Sequence, residues 1–185
     1  MKSDDLRTIL ARDLDGAFPT LVAEHVDRLY SVALRLLGDP RDAEEITSDG
    51  LVRAHRALAS YTPERIRGLE LRPWLTTIVL NLARNHARRH RHLTTVLDDS
   101  HEAPIATPES TSIQRAETEH WAALLGGLPT RYRVPVVLRY VDDLDYDEIA
   151  HVLDRPAATV RSQVHRGLTL LRAAHDAATR KELTA

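Results

Sequence analysis

D-Y-D-E-I-A-H-V-L-D-R-P-A-A-T-V-R-S-Q-V-H-R-G-L-T-L-L-R, residues 145–172, reads as two helices joined by a tight turn. Asp145 can accept from the first free backbone N–H groups of a helix, and Glu148 three residues on completes a capping box. Ile149, Ala150 and Leu153 mark that helix's inward face, with Ala150 small enough for a close crossing. Asp154 falls at the turn, where the backbone must go left-handed and Asp tolerates this better than most residues. Pro156 suits the first position of a second helix, since its fixed φ is already helical and no partner awaits its missing N–H. In that helix Val160, Val164, Leu168 and Leu171 recur at helical spacing and face inward.

The opposite face carries Arg161, Ser162, His165, Arg166 and Arg172, with Thr159 at its start, and no acid occurs from Arg155 to Arg172. A helix held by its apolar back and offering guanidinium and hydroxyl groups suits the DNA major groove, where Arg bonds guanine bidentately. A solvated amphipathic helix pair would explain the stripes alone. It leaves the cap, the left-handed turn and the one-signed face unexplained together. The stretch therefore predicts a helix-turn-helix that reads duplex DNA.

The chain has 185 residues, 43% of them hydrophobic, enough for one or two small cores. Aromatic residues are few, and the Ala, Leu, Arg and Asp content favours helix throughout. The expected fold class is all-α: two small helical domains, residues 1–92 and 112–185, joined by a flexible linker over 93–111. No apolar run reaches membrane-spanning length and the N-terminus does not read as a signal peptide, so a cytoplasmic protein is expected. Zero cysteines exclude disulfides, thiol catalysis and Cys-based zinc sites. A net charge of −2 would argue against a nucleic-acid partner if charge were evenly spread, but basic and acidic residues cluster in different helices.

From the N-terminus, a short helix is expected over Leu6–Phe18, ending or bending near Asp15–Gly16. A longer one follows with the stripe Val22, Val26, Leu29, Ala33 and Leu36, stopped by Gly38. Asp39-Pro40 opens a helix to about Ala59. Its inner stripe is Ala43, Thr47, Leu51, Ala54 and Leu58; its outer stripe is Asp42, Glu45, Asp49, Val52 and Arg56, with Arg53 alongside. Gly50 implies a closely packed neighbour. Ser60–Arg72 reads as a loop. Pro73 then opens a helix over about Trp74–Arg91, with Trp74, Leu75, Ile78, Val79 and Leu82 inside. Asn81, Arg84, Asn85 and Arg88 share another face, in a stretch without acids from Arg72 to Leu97. Amide and guanidinium groups there suit phosphates and splayed bases, although a basic helix is by itself more often merely solvated. Residues 93–111 lose periodicity and turn to Thr, Ser, Pro and acids, as a linker does. Helical pattern returns at Ser112, anchored by Ile113, Trp121, Leu124 and Leu125. Leu128-Pro129 opens a further helix bearing Tyr132, Val136, Val137 and Tyr140. Pro135 removes a donor inside it and predicts at most a kink.

Four stretches, in this order, resemble one family: G-D-P-R-D-A-E-E-I at Gly38–Ile46, R-P-W-L-T-T-I-V-L-N-L-A-R-N at Arg72–Asn85, L-P-T-R-Y-R-V-P-V-V-L-R-Y at Leu128–Tyr140, and residues 145–172. The chain resembles a group-four, extracytoplasmic-function RNA polymerase sigma factor from about Phe18 to Arg172. That resemblance implies two helical domains, regions two and four. It implies core RNA polymerase (β′ clamp helices and β flap) and promoter DNA as partners, with an anti-sigma factor as a candidate third. Asp42, Glu45, Asp49 and Arg53 would dock on the clamp helices. Asn81, Arg84, Asn85 and Arg88, with the loop before Pro73, would hold the unpaired −10 element. Thr159, Arg161, Ser162, His165 and Arg166 would read the −35 duplex, and the linker would thread toward the active-site cleft. The chain departs from the usual pattern at Ser48 (commonly Gln), His55 (often Trp), and Asp154 and Ala158 (customarily Gly).

Two other classes compete. The helix-turn-helix also resembles the LuxR-type module of stand-alone regulators, but no ligand pocket, phosphoacceptor or dimer helix is evident in the first domain, where Arg72–Asn85 stands instead. His86 and His90, spaced i and i+4 with His92 nearby, have metal-ligand spacing. They sit among arginines, which repel a cation, and read instead as histidines on a phosphate-facing helix. No phosphate loop or catalytic carboxylate pair is present. The expectation is no enzyme, no metal and no cofactor.

Overall fold

The computed structural model describes residues 3–94 and 120–182. Apart from residues 93 and 94, the expected linker lies outside them, as does the expected helix from Ser112 up to residue 119. Among the described residues there are helices and no strands. Contacts divide the chain into two compact units, Met1–Ala33 with Arg41–Ser100, and Leu34–Pro40 with His101–Ala185.

The first unit begins with α1 (Ser3–Leu10) and with α2 (Leu14–Leu37) as far as Ala33. The break falls at residues 11–13, not near Asp15–Gly16 as expected. Asp13 causes it: its Oδ1 accepts from Gly16 N at 3.0 Å, satisfying a free donor of the first turn of α2. Arg7 of α1 donates to the Leu69 carbonyl at 3.0 Å, tying the first helix to the turn that ends at Glu70. The buried stripe of α2 is Ala17, Leu21, Leu29, Val32 and Ala33. It is rotated from the expected one, so Val22, Val26 and Leu36 are only half-buried. Gly38 takes φ +84° and ends the helix, as its position predicted.

α3 (Pro40–Ala59) buries Ala43, Ile46, Thr47, Gly50, Ala54 and Leu58. Thr47 donates its buried hydroxyl to the Ala43 carbonyl at 2.7 Å, so its burial leaves no unmet polar group. A Cβ on Gly50 would stand 2.9 Å from Val79 Cγ2, which is the close neighbour the glycine implied. The expected loop over Ser60–Arg72 contains a short helix, α4 (Pro63–Arg67). Thr62 caps it and Pro63 opens it, so the proline that reads as a breaker is a helix start. α5 runs over Leu71–Thr94, longer at both ends than expected. Leu75, Val79, Leu80, Leu82 and Ala83 are buried, while Trp74 and Ile78 lie at the core margin. Each fully buried leucine contributes about 1.5–3 kcal/mol relative to an exposed one.

The second unit is described from helical residues 120–126 (α6) onward. It continues with α7 (Thr130–Tyr140), α8 (Tyr146–Leu153) and α9 (Ala157–Glu182). Pro135 sits inside α7, whose Val134–Leu138 run is entirely buried, so V-P-V-V is helix rather than strand. Trp121, expected to anchor this core, is 45% exposed, and Tyr140 on α7 is 58% exposed. Leu125, Leu128, Val136, Val137, Leu138, Ile149, Val160 and Val164 fill it instead.

Candidate nucleic-acid interface

The helix-turn-helix forms by the local devices its sequence carries. Asp145 Oδ1 accepts from Asp147 N at 2.9 Å and Glu148 N at 2.8 Å. Glu148 Oε2 accepts from Asp145 N at 2.7 Å, closing the capping box. Asp154 ends α8 in the left-handed conformation, φ 50° and ψ 56°. α9 starts at Ala157, one residue after Pro156, whose carbonyl accepts from Thr159 N and Val160 N. Val160, Val164 and Leu171 are buried and Leu168 half-buried, so the predicted back of the helix is in place. A close helix approach lies at Gly167, which is buried; Ala150 is half-exposed. A Cβ on Gly167 would stand 2.6 Å from Val136 Cγ2 of α7.

Thr159, Arg161, Ser162, His165 and Arg166 are all exposed on one face, with Arg172 further along. Beside that face a cleft of about 540 Å³ is lined by Arg131, Tyr132, Ala158, Thr159, Ser162, Gln163 and Arg166. The Tyr132 hydroxyl is held below its ordinary pKa, first by a hydrogen bond with Arg166 and further by the charge of Arg131; burial acts in the opposite direction. Arg155 donates to Gln163 Oε1 at 3.2 Å across the turn. Arg161 lies with its guanidinium carbon 5.1 Å from the ring centre of Tyr146. The sequence reading missed Arg131, Tyr132, Tyr146 and Gln163 as members of this surface. Only folding α7 and α8 against α9 brings the first three to it.

In the first unit Asn81, Arg84, Asn85 and Arg88 are exposed together along α5. Arg88 donates to Asn85 Oδ1 at 3.2 Å, which orders part of that face. His86 does not join them. It is buried, with Nε2 2.9 Å from Asp42 Oδ2, so the reading of His86 as phosphate-facing is corrected. The same contact removes Asp42 from the free outer stripe of α3: its side chain is only 30% exposed and turned to His86. The side chains of His90 and His92 lie outside the described residues. Glu45, Asp49 and Arg53 are exposed as expected. Next to them, Phe18, Ser48, Leu51, Val52, His55 and Arg56 line a shallow cleft of about 290 Å³. His55 is fixed there edge-on to Phe18, ring centres 4.7 Å apart, with Nε2 3.0 Å from Asp15 Oδ1. Exposed Val52 on an otherwise polar stripe was the one sequence signal for this cleft. Among the described residues no group of three or more His, Asp or Glu is arranged to hold a metal ion.

A capped helix-turn-helix with an acid-free exposed face defines a DNA-binding protein. Comparison with known proteins narrows the class. The Sigma-70 region 2 family matches residues 21–93, and the Sigma-70, region 4 family matches residues 121–171. The ECF RNA polymerase sigma factor SigE of Mycolicibacterium smegmatis is 34% identical over 157 residues, covering 82% of this chain and 59% of that protein. SigW of Bacillus subtilis, also an ECF RNA polymerase sigma factor, is 27% identical over 169 residues, covering 84% of this chain and 87% of it. Among solved structures, CnrH in complex with the cytosolic domain of CnrY aligns with TM-score 0.71 at 27% identity, over 94% of this chain and 97% of that one. Sigma factor RpoE of Bartonella quintana, in complex with the anti-sigma factor NepR, shares the fold with TM-score 0.72 at 20% identity, over 84% of this chain and 94% of that one. The chain belongs to the sigma-70 family as an extracytoplasmic-function RNA polymerase sigma factor, and promoter-specific transcription initiation is its function.

Proposed function

We propose a division of that function between residues 1–92, which would dock core polymerase and hold the −10 element, and residues 112–185, which would read the −35 element. The observation that carries it is the exposed face of α9, where Thr159, Arg161, Ser162, His165 and Arg166 stand opposite buried Val160 and Val164. A helix fixed by its back and a capped partner presents such a face to a major groove without reorganisation. Arg161 and Arg166 take the base contacts, each discriminating by about 1–3 kcal/mol where bidentate. Asn81, Arg84, Asn85 and Arg88 take the −10 strand. Glu45, Asp49 and Arg53 take the polymerase, while the Asp42 side chain is turned to His86.

The role is regulatory rather than enzymatic, and its place is the cytoplasm, where polymerase and promoters meet. Among the described residues no helix is long and apolar enough to cross a membrane. An anti-sigma factor is the third proposed partner, since a relative of the same fold, RpoE of Bartonella quintana, was solved bound to the anti-sigma factor NepR. The deciding experiment is run-off transcription from a genomic template library with purified core polymerase, with and without this chain. New, sequence-defined start sites are expected only with the chain. Tight duplex binding by the free protein, with no new start sites, would favour a stand-alone regulator.

A further inference from the structure

We infer that Tyr146 is a positioning residue for Arg161, holding its guanidinium ready for base contact. The inference rests on the proposed −35 reading by α9 and adds a residue outside that helix. Arg161 is exposed, and a free arginine in water samples many rotamers, so ordering it at a base costs conformational entropy. The Tyr146 ring stands against it at 5.1 Å, within the range at which an aromatic face attracts a guanidinium. Tyr146 is itself firmly placed. It is the first residue of α8, directly after the cap Asp145, whose reciprocal bonds with Glu148 fix the start of the helix.

A second arginine approaches the same ring: Arg139 lies 5.6 Å from its centre. Arg139 is occupied elsewhere, donating to the Leu144 carbonyl at 3.1 Å and Asp143 Oδ1 at 3.4 Å. Asp143 holds a left-handed backbone, φ 54°. Of the two cations at the ring, Arg139 is bound into the scaffold and Arg161 is the one on the reading helix. Like charge on Arg139 disfavours retreat of Arg161 toward α7, while the ring keeps it from wandering into solvent. The ring, not the hydroxyl, supplies this effect.

The test uses holoenzyme assembled with core polymerase and run-off templates carrying every base at each −35 position. Tyr146→Leu is compared with Tyr146→Phe, Arg161→Ala and the Tyr146→Leu/Arg161→Ala pair, with thermal melting as a folding control. Tyr146→Leu is expected to flatten base preference about three- to fivefold at the position that Arg161→Ala affects, and nowhere else. Tyr146→Phe should behave as wild type, and the pair should be no worse than Arg161→Ala. Tyr146→Gln, a second variant without a ring, decides the matter where the leucine variant does not fold. Full base preference in the ringless variants, with Arg161→Ala defective, overturns the positioning role and leaves the reading helix intact. Equal weakening of all sequences by Leu and Phe also overturns it, in favour of a phosphate contact through the hydroxyl. No effect of Arg161→Ala on base preference would remove the proposed base contact itself.

Discussion

Gly167 of α9 lies so close to Val136 of α7 that a Cβ on the glycine would stand 2.6 Å from the valine Cγ2. Val136 is buried, 4% exposed, and the Tyr132 carbonyl closes the other side at 3.4 Å, so neither neighbour can step aside cheaply. Gly167→Ala gains about 1 kcal/mol of helix propensity. Overpacking costs typically about 1–3 kcal/mol and is expected to win. A net loss on the order of 1 kcal/mol should appear in urea unfolding. A coupled Val136→Ala change should recover part of it, and a Gly167→Ala protein as stable as wild type would show that α7 and α9 pack less tightly.

His25 gives the first unit a pH dependence. Burial first, and then the charges of Arg28 and Arg72, lower its pKa to about 4. Arg28 Nη2 sits 2.7 Å from Nδ1, a place for a neutral ring that accepts. The unfolded chain protonates this histidine near its ordinary value of 6.5, so between about pH 6.5 and 4 the unfolded state holds more protons. His25 therefore lowers stability progressively as pH falls through that window and has no further effect below it. Since the ring is partly solvated, screening reduces the effect to on the order of 1–2 kcal/mol. His25→Gln, which keeps an acceptor but does not titrate, should flatten the melting temperature between pH 7 and 5 relative to wild type. Parallel curves would assign the acid sensitivity elsewhere.

The helix-turn-helix is legible because its signals are local: a cap three residues from its glutamate, an Asp at the left-handed turn, and an apolar stripe. What escapes reading depends on which helix packs where. Val22 and Val26 look like the core of α2, yet Leu21 and Val32 fill it, because the neighbouring helices select one of two adjacent apolar stripes. Pro63 reads as a breaker although Thr62 before it is a cap. His86 looks like part of a basic face, but positions 79, 82, 83 and 86 share helical spacing, and Asp42 from α3 makes burial tolerable there. Size alone would place Trp121 and Tyr140 inside, and both are exposed. The site residues on α9 and α5 are legible as faces; the tyrosines that flank the arginines of α9 are not, since they come from other helices.

The α5 face makes a separable prediction. Asn81 and Arg84 are exposed and distant in sequence from the reading helix, so Asn81→Ala and Arg84→Ala should impair promoter opening while −35 binding persists. Premelted templates should rescue a defect in melting but not one in base capture, because a bubble supplies unpaired bases without supplying contacts to them. Permanganate reactivity of −10 thymines is the measurement. Normal reactivity in both variants would remove the proposed role.

The outer face of α3 separates docking from stability, because its acids divide into two kinds. Glu45 and Asp49 are exposed, and exposed charges contribute about 0–1 kcal/mol to folding. Asp42 instead faces buried His86, so Asp42→Asn should lower stability on the order of 1 kcal/mol by changing the polar neighbour of a buried ring. Reversing Glu45 and Asp49 to Lys should leave melting nearly unchanged. Apparent affinity for core polymerase should fall at least about tenfold, or 1.4 kcal/mol, since charge complementarity governs encounter and register. The difference from wild type should shrink as salt rises, because the native contact is screened too. Competition with a reference sigma factor for limiting core polymerase reads both proteins at once. A folded Glu45→Lys/Asp49→Lys protein that competes like wild type would move the docking surface off this stripe, leaving the shallow cleft around Phe18, Val52 and His55 as the part of the first unit to test next.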